Sequence, residues 1–578
     1  MSIKNIDINF QKITVVFLTA IFLMVLVSKA ETQIIHEPNS IIYKDIDLWI
    51  AKGFVRSHLP AIRPYPAPLI DFILDEVIEN GDEAAAEKAT QYKDYFAPGN
   101  RIIRPGLSAY FQGKDDEYGF FGSAFAEGLF RITDLFATSY HLAFYGMTDP
   151  DGERFNVPGT YSPYPDIIKD TSNVGKIEIR QNWTSLSTVG TKDVYLQAGL
   201  TRSSFGPFFD NGLVIGPQAP RAGHISFAFL RQQWAYEMLF QMITATDDFG
   251  LGHYPGKYNI VHNLSFRPFD SLELGAIQSM VYGERIELLY LVPFNFLFAS
   301  ESIYDFSDNA QMGLYFKWRL FDAVDFKGLA FVDDFHFNNL ISSGTLQAKA
   351  AGQMGITWAP KSGFLSKLDF DYTGVLPYCY THWNQDDDYR YNGYDGSDLD
   401  IYKNPTDPSK PDNQLRKPNY LNYTHIGRNI GPDLEPNSDR ISLRTLWDIV
   451  PSVRLNINGY FTRHGNASEG REKMDPNVHD GSIFDDGCSD PWPDPDGEPF
   501  EEGRSRKQTY GFDYWLTQDV LDKRLGGTIG VMWTIQSFPF GIFRLIGEYG
   551  AEYGWNRGLV KDRNSLDNFW NIGFLWSW

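Results

Sequence analysis

Two clusters of aromatic rings and short polar groups are the residues with the most chemistry to offer. Tyr372, Tyr378, Tyr380 and His382 stand at one edge of a long polar stretch, and Tyr420, Tyr423 and His425 stand near its other edge. A sugar site combines flat apolar ring faces with small polar groups that bond hydroxyls. The same tyrosines would equally serve as the interfacial girdle that any membrane barrel needs. Asp333, Asp334, Asp433 and Asp439 are placed either to pin loops or to touch a ligand. Arg202, close to the turn Gly206-Pro207, reads as a lumen cation neutralising nearby carboxylates.

Other chemistries have less support. The chain holds no G-x-S-x-G, H-E-x-x-H, C-x-x-C or Walker loop, so no enzyme is expected. A scattered hydrolase site drawn from His382, His425 and Ser438 is the catalytic rival. Asp475 to Gly503 contains ten Asp or Glu and no Lys or Arg. Such a run is either a solvated surface or a site for calcium or sugar, and Asp494, Asp496 and Glu498 around Gly497 look like part of a calcium loop without its full spacing. No other cofactor is expected. Cys379 and Cys488 are the only cysteines, and whether they pair is open.

Those residues need strands to carry them. Trp570, Ile572, Phe574, Trp576 and Trp578 are large and apolar, with Asn571, Gly573 and Ser577 between them. That period of two, ending on an aromatic residue, fits the closing strand of an outer-membrane barrel and the signal read by the barrel-assembly machinery. The same alternation recurs at Met312–Leu320, Leu368–Tyr372, Ile441–Ile449 and Val453–Phe461. Counting such segments from Arg101 onward predicts about eighteen strands, or nineteen with every candidate between Gln508 and Gln536 accepted. A single-chain bacterial barrel requires an even number. The long connections near 146–173, 203–223, 283–309, 383–436 and 465–503 are expected outside the cell, and the short ones inside. Apolar faces should meet lipid while charges line the lumen.

The amino-terminal end sets the compartment. Lys4 and Lys12 precede the apolar run Ile13–Val27, and Ser28-Lys29-Ala30 offers a cleavage site before Glu31, so residues 1–30 read as a signal peptide. Its removal takes the net charge from −22 to −24, which argues against nucleic acid as a partner. Hydrophobic residues make up 43% of the chain and mean hydropathy is −0.31, as expected when half of each strand faces water. Residues 31–100 differ from the rest. Ile46, Trp49 and Ile50 fall at helical spacing before Gly53; Pro68 opens a second helix with Leu69, Ile73 and Val77; Asp82 caps a third through Ala85, Ala89, Tyr92 and Phe96. This three-helix unit reads as a plug or platform on the periplasmic side. A cell-wall-binding module of the S-layer-homology kind is the alternative.

Several ordered segments resemble the Wzi capsule-assembly family of outer-membrane proteins. They are Gly199-Leu200-Thr201-Arg202, Phe205-Gly206-Pro207, Gly212-Leu213 and Ala219-Pro220, then Asp308-Asn309 and Asp333-Asp334. Asp371-Tyr372-Thr373 follows with Tyr378, Tyr380, Thr381 and His382. The last set is Asn422-Tyr423-Thr424-His425 running on to Gly427, Gly431-Pro432-Asp433 and Ser438-Asp439. The family usually has Glu-Tyr-Thr where this chain has Asp371-Tyr372-Thr373, and the turn from Asn429 to Asn437 is altered, so a particular sugar does not carry over. The resemblance implies an outer-membrane lectin in a diderm bacterium that holds capsular or other surface polysaccharide. It implies a barrel of about eighteen strands occluded by its loops and by a periplasmic helical bundle, embedded in outer-membrane lipid, and no catalysis. A monomer is expected. The rival reading is a porin or a sugar and oligosaccharide transporter.

Overall fold

The computed structural model describes residues 38–577, apart from single positions 39, 305 and 307 and segments 97–102, 132–135, 150–151, 159–171, 247–252, 336–347, 383–417, 467–514 and 538–540. The expected signal peptide, the acidic run 475–503, the candidate calcium residues and Cys488 therefore lie outside the described residues.

Three amphipathic helices come first: α1 (Ile41–Ala51), α2 (Ala67–Asn80) and α3 (Glu83–Phe96). Their boundaries follow local chemistry. Gly53 takes the left-handed conformation (φ 77°) just beyond α1, where a side chain would be strained. The Asp82 carboxylate accepts the Ala85 N–H at 2.8 Å and caps α3. The inner faces of the helices, with Trp49, Ile73 and Val77, form one core with Tyr195, Ala228, Leu230 and Ala235 of the barrel wall.

Alternating strands then form a closed antiparallel barrel of eighteen strands among the described residues. The first strand, Ile103–Lys114, pairs with the last, Ser565–Ser577, through contacts such as Leu107 with Trp576. Closure leaves no edge strand, so every wall can meet lipid with its backbone paired. Between Gln508 and Gln536 the described residues hold one strand of the barrel, Leu521–Ser537, and residues 508–514 of that window lie outside the described residues. The outer face is apolar: Leu314, Ile572, Leu525 and Met354 are all exposed. The helices sit at the end of the barrel with the short turns, which in barrels of this type is the periplasmic end.

Two features depart from the simple alternation. Inward positions of the strands from Trp234 to Val375 include Leu239, Ile243, Val261, Ile277, Leu329 and Phe331, all buried. They are apolar because protein, not water, fills this side of the lumen. The connection 284–308 also does not project away. Its helix α4 (Leu297–Tyr304) and the turn Leu288–Leu291 fold against the outer wall and cover Tyr236, Met238, Ile260 and Met280. His262 faces outward here, and its Nε2 meets the Tyr290 carbonyl at 2.9 Å while its Nδ1 meets Tyr236 Oη at 3.2 Å. The loop shields an imidazole that would otherwise face hydrocarbon.

Two measurements check this description. Leu314→Arg places a cation on the lipid face near mid-strand and is expected to cost about 2–4 kcal/mol in denaturant unfolding from bilayers. His58, in the segment after α1, lies between Ser265 Oγ (2.9 Å) and the Arg231 carbonyl (3.3 Å), and burial pushes its pKa down to about 4, against the opposing pull of Glu273. The folded value lies below the unfolded one, so the stability it contributes is present above about pH 6.5 and is lost as pH falls towards 4. His58→Gln should flatten the thermal stability of the helical unit over that window.

Candidate functional site

The lumen is blocked by two inserts that meet each other. Residues 202–221, between the strands Val194–Thr201 and Ala222–Leu230, turn inward from the long-loop end. The segment between α1 and α2 reaches up from the opposite end. The two join as a short antiparallel pair, Ile62 with Phe205 and Arg63 with Ser204. The wall receives this joint through Glu237, a lone carboxylate in an apolar strand, which accepts the N–H groups of Ala61 (2.9 Å) and Ile62 (2.8 Å). Arg63 is fully buried, with its guanidinium 3.5 Å from the centre of the Phe209 ring and paired to Asp47.

A third insert, from the connection 376–437, covers the first. Tyr380 Oη donates to the Leu213 carbonyl at 2.9 Å, and Tyr423 Oη donates to the Val214 carbonyl at 2.7 Å. Both rings are fully buried, 5.5 Å apart between centroids, and stand against Phe331. Asp333 accepts the Tyr380 N–H at 2.8 Å and Gln311 Nε2 at 3.2 Å. Tyr378 and Tyr380 take left-handed backbone conformations (φ 59° and 73°), an unfavourable choice that the surrounding buried bonds hold in place. Gly431 is required where the chains touch, because a Cβ there would meet the Leu213 carbonyl at 2.7 Å.

The candidate residues thus separate into three places. Tyr378, Tyr380, Tyr423, Asp333 and Arg202 are buried within the inserts or at their contacts with the wall, with no ring face open to solvent. His425 is buried too. Its Nδ1 accepts the Thr244 N–H at 3.0 Å, so Nε2 carries the proton and donates to the Arg221 carbonyl at 2.8 Å. Ser438 pairs with His464 at 2.9 Å. Tyr420 and His382 are half-buried at the rim: Tyr420 packs over Gly283, and the His382 carbonyl accepts Asn419 Nδ2 at 3.1 Å. Tyr372 and Asp439 lie on the outer wall, where Tyr372 Oη donates to Asp439 at 3.0 Å. Asp433 is exposed and paired to Arg440. The side chain of Asp334 lies outside the described residues.

Three residues that hold this arrangement carry no local signature. Besides Glu237, Lys257 is fully buried and donates to Asn422 Oδ1 (2.6 Å) and Thr424 Oγ1 (3.2 Å), tying the third insert to the wall. Asn419 receives the N–H groups of Leu421 and Asn422. The available signal was the polar type itself: a Glu or a Lys at an inward position among apolar neighbours needs a partner. Below the inserts, at the short-turn end, a cavity of about 1090 Å³ separates the helices from the wall. Its sides carry the pairs Lys317–Glu273 (3.0 Å), Lys367–Asp369 (2.9 Å) and Arg319–Asp325 (2.7 Å), and Phe208 and Phe209 line it as well.

Neither a family model nor a curated protein matches the sequence. Solved structures do. Wzi of Escherichia coli, described as an outer-membrane protein involved in group 1 capsule assembly and a carbohydrate-binding β-barrel, aligns with a TM-score of 0.53 at 13% identity, covering 94% of this chain and 99% of that one. The fold is Wzi-like. OprD of Pseudomonas aeruginosa aligns with a TM-score of 0.40 at 8% identity over 82% of this chain and 94% of its own. OccAB2 of Acinetobacter baumannii aligns at 0.41 and 11%, over 82% and 97%.

Tyr423→Phe removes the bond to Val214 and strands a buried carbonyl. It is expected to lower stability by about 1–3 kcal/mol in thermal or denaturant unfolding, with the barrel still closed.

Proposed function

We propose that this protein is an outer-membrane barrel that holds surface polysaccharide at the cell exterior, with its loops as the binding surface and its wall as the anchor. The observation that carries the reading is the blocked lumen: Tyr380 and Tyr423 pin residues 213–214 across it, where an open pore would need water. The Wzi-like fold supports it, since the protein of that name is described as carbohydrate-binding and involved in capsule assembly. Tyr420 and His382 at the rim are the described candidates for the sugar contact, and the acidic stretches beyond the described residues are the candidates for calcium. The protein works in this reading as a monomer without catalysis, exported by its leader and inserted by the barrel-assembly machinery. The charged cavity at the short-turn end is the feature that favours the rival transporter, as a vestibule.

Purified protein should retain polysaccharide from the surface of its own organism and show almost no single-channel conductance in planar bilayers. Chelation should weaken retention if calcium bridges. Failure to retain polysaccharide with or without calcium would remove the lectin role, and a steady open-channel conductance would establish the transporter.

A further inference from the structure

Along the outward-facing positions of the strands, the described side chains are apolar, small or uncharged, with one exception. Asp439, Arg463 and Lys523 follow one another in register across three neighbouring strands, Ser438–Val450, Val453–Gly465 and Leu521–Ser537. The row continues to Trp555 on the next strand. It lies one pleat beyond Ile441, Phe461, Leu525 and Tyr553, at the long-loop end of the exposed apolar belt, which is the depth of lipid headgroups.

The ionic balance of this row is incomplete. Arg463 Nε donates to Asp439 Oδ1 at 2.9 Å, and Asp439 also accepts from Tyr372, so the carboxylate is already committed. The Arg463 side chain nevertheless stays 40% exposed. Lys523 stands directly opposite Arg463, and no carboxylate pairs with it among the described residues. Two like charges facing each other on a sheet repel unless an anion lies between them. Tyr372 and Trp555 flank the pair with rings, and Trp515 leans over Gly374 at the end of the same row. A guanidinium and an ammonium side by side at an interface, framed by aromatic rings, suit a phosphate attached to an acyl-chain body.

We propose that Arg463 and Lys523 form a binding site for the phosphorylated headgroup of an outer-leaflet glycolipid, with the rings of Tyr372, Trp515 and Trp555 against its sugar and upper acyl carbons. The site rests on the outer-membrane placement proposed above, but not on polysaccharide binding. It would fix the rotation and height of the barrel in its leaflet.

The test uses the full-length protein in detergent, mixed with a bisphosphorylated diglucosamine lipid or with its dephosphorylated counterpart, and reads bound lipid by native mass spectrometry. The wild type should retain the phosphorylated lipid, and Arg463→Ala with Lys523→Ala should retain roughly tenfold less, while Arg463→Lys stays close to the wild type. Lys523→Gln leaves the Arg463–Asp439 pair whole and should still weaken retention, which covers the case in which the double variant does not fold. Equal retention by wild type and Lys523→Gln, equal retention of the dephosphorylated lipid, or full displacement by inorganic phosphate would each overturn the site. Loss of polysaccharide retention by the wild type, with this lipid discrimination intact, would instead overturn only the function proposed above.

Discussion

Filling the interior is the constraint on which this structure depends. A sheet of eighteen strands closes around a hole too wide for wall side chains alone to occupy. Three chain segments therefore enter it, and each brings backbone N–H and carbonyl groups that must be bonded there. Glu237 meets this need from the wall by taking two N–H groups of the segment between α1 and α2. Tyr380 and Tyr423 meet it from above by giving hydroxyl hydrogens to two carbonyls of the 202–221 insert. With those bonds in place, leucine, isoleucine and phenylalanine can face inward where a water-filled barrel would show charge.

The same constraint divides the molecule along its axis. Above the joint of Ile62 with Phe205 the interior holds a cluster of buried apolar side chains; below it the helices and the wall enclose ion pairs and a cavity. The helical unit is held by charge as well as by packing. Asp45 on α1 is fully buried and bonds Lys88 Nζ (2.8 Å), Tyr92 Oη (2.7 Å) and Arg454 Nη1 (2.8 Å), and the neighbouring cations outweigh its burial and hold its carboxyl well below the usual range. Loss of Lys88 or Arg454 would leave this buried carboxylate with one cation in place of two.

Much of this was legible as periodicity. The strands from Asn309 to Leu320 and from Ser438 to Gly465, the Asp82 cap and the Gly53 stop follow from spacing and residue type, whereas the outward direction of the apolar faces rests on the leader and the last strand. The strand count was legible only to within one, because periodicity does not tell a spanning strand from a segment of a long excursion. The roles of the tyrosines were not legible. Tyr372 lies near the end of the strand Leu365–Val375 and Tyr380 just beyond it, yet one ring lies on the outer wall and the other is buried inside. What separates them is where the 376–437 connection folds, and that is decided by distant partners such as Asp333 and Leu213. Glu237 and Lys257 were unreadable for the same reason, since their partners lie 165 to 176 residues away.

The loop laid over Tyr236, Ile260, His262 and Met280 thickens one sector of the wall and leaves Phe294, Phe296, Phe298 and Ile303 standing out from it. Seen down its axis the barrel is then not round but ridged. Anything approaching the wall from that side therefore meets aromatic rings of the loop before it meets the strands beneath.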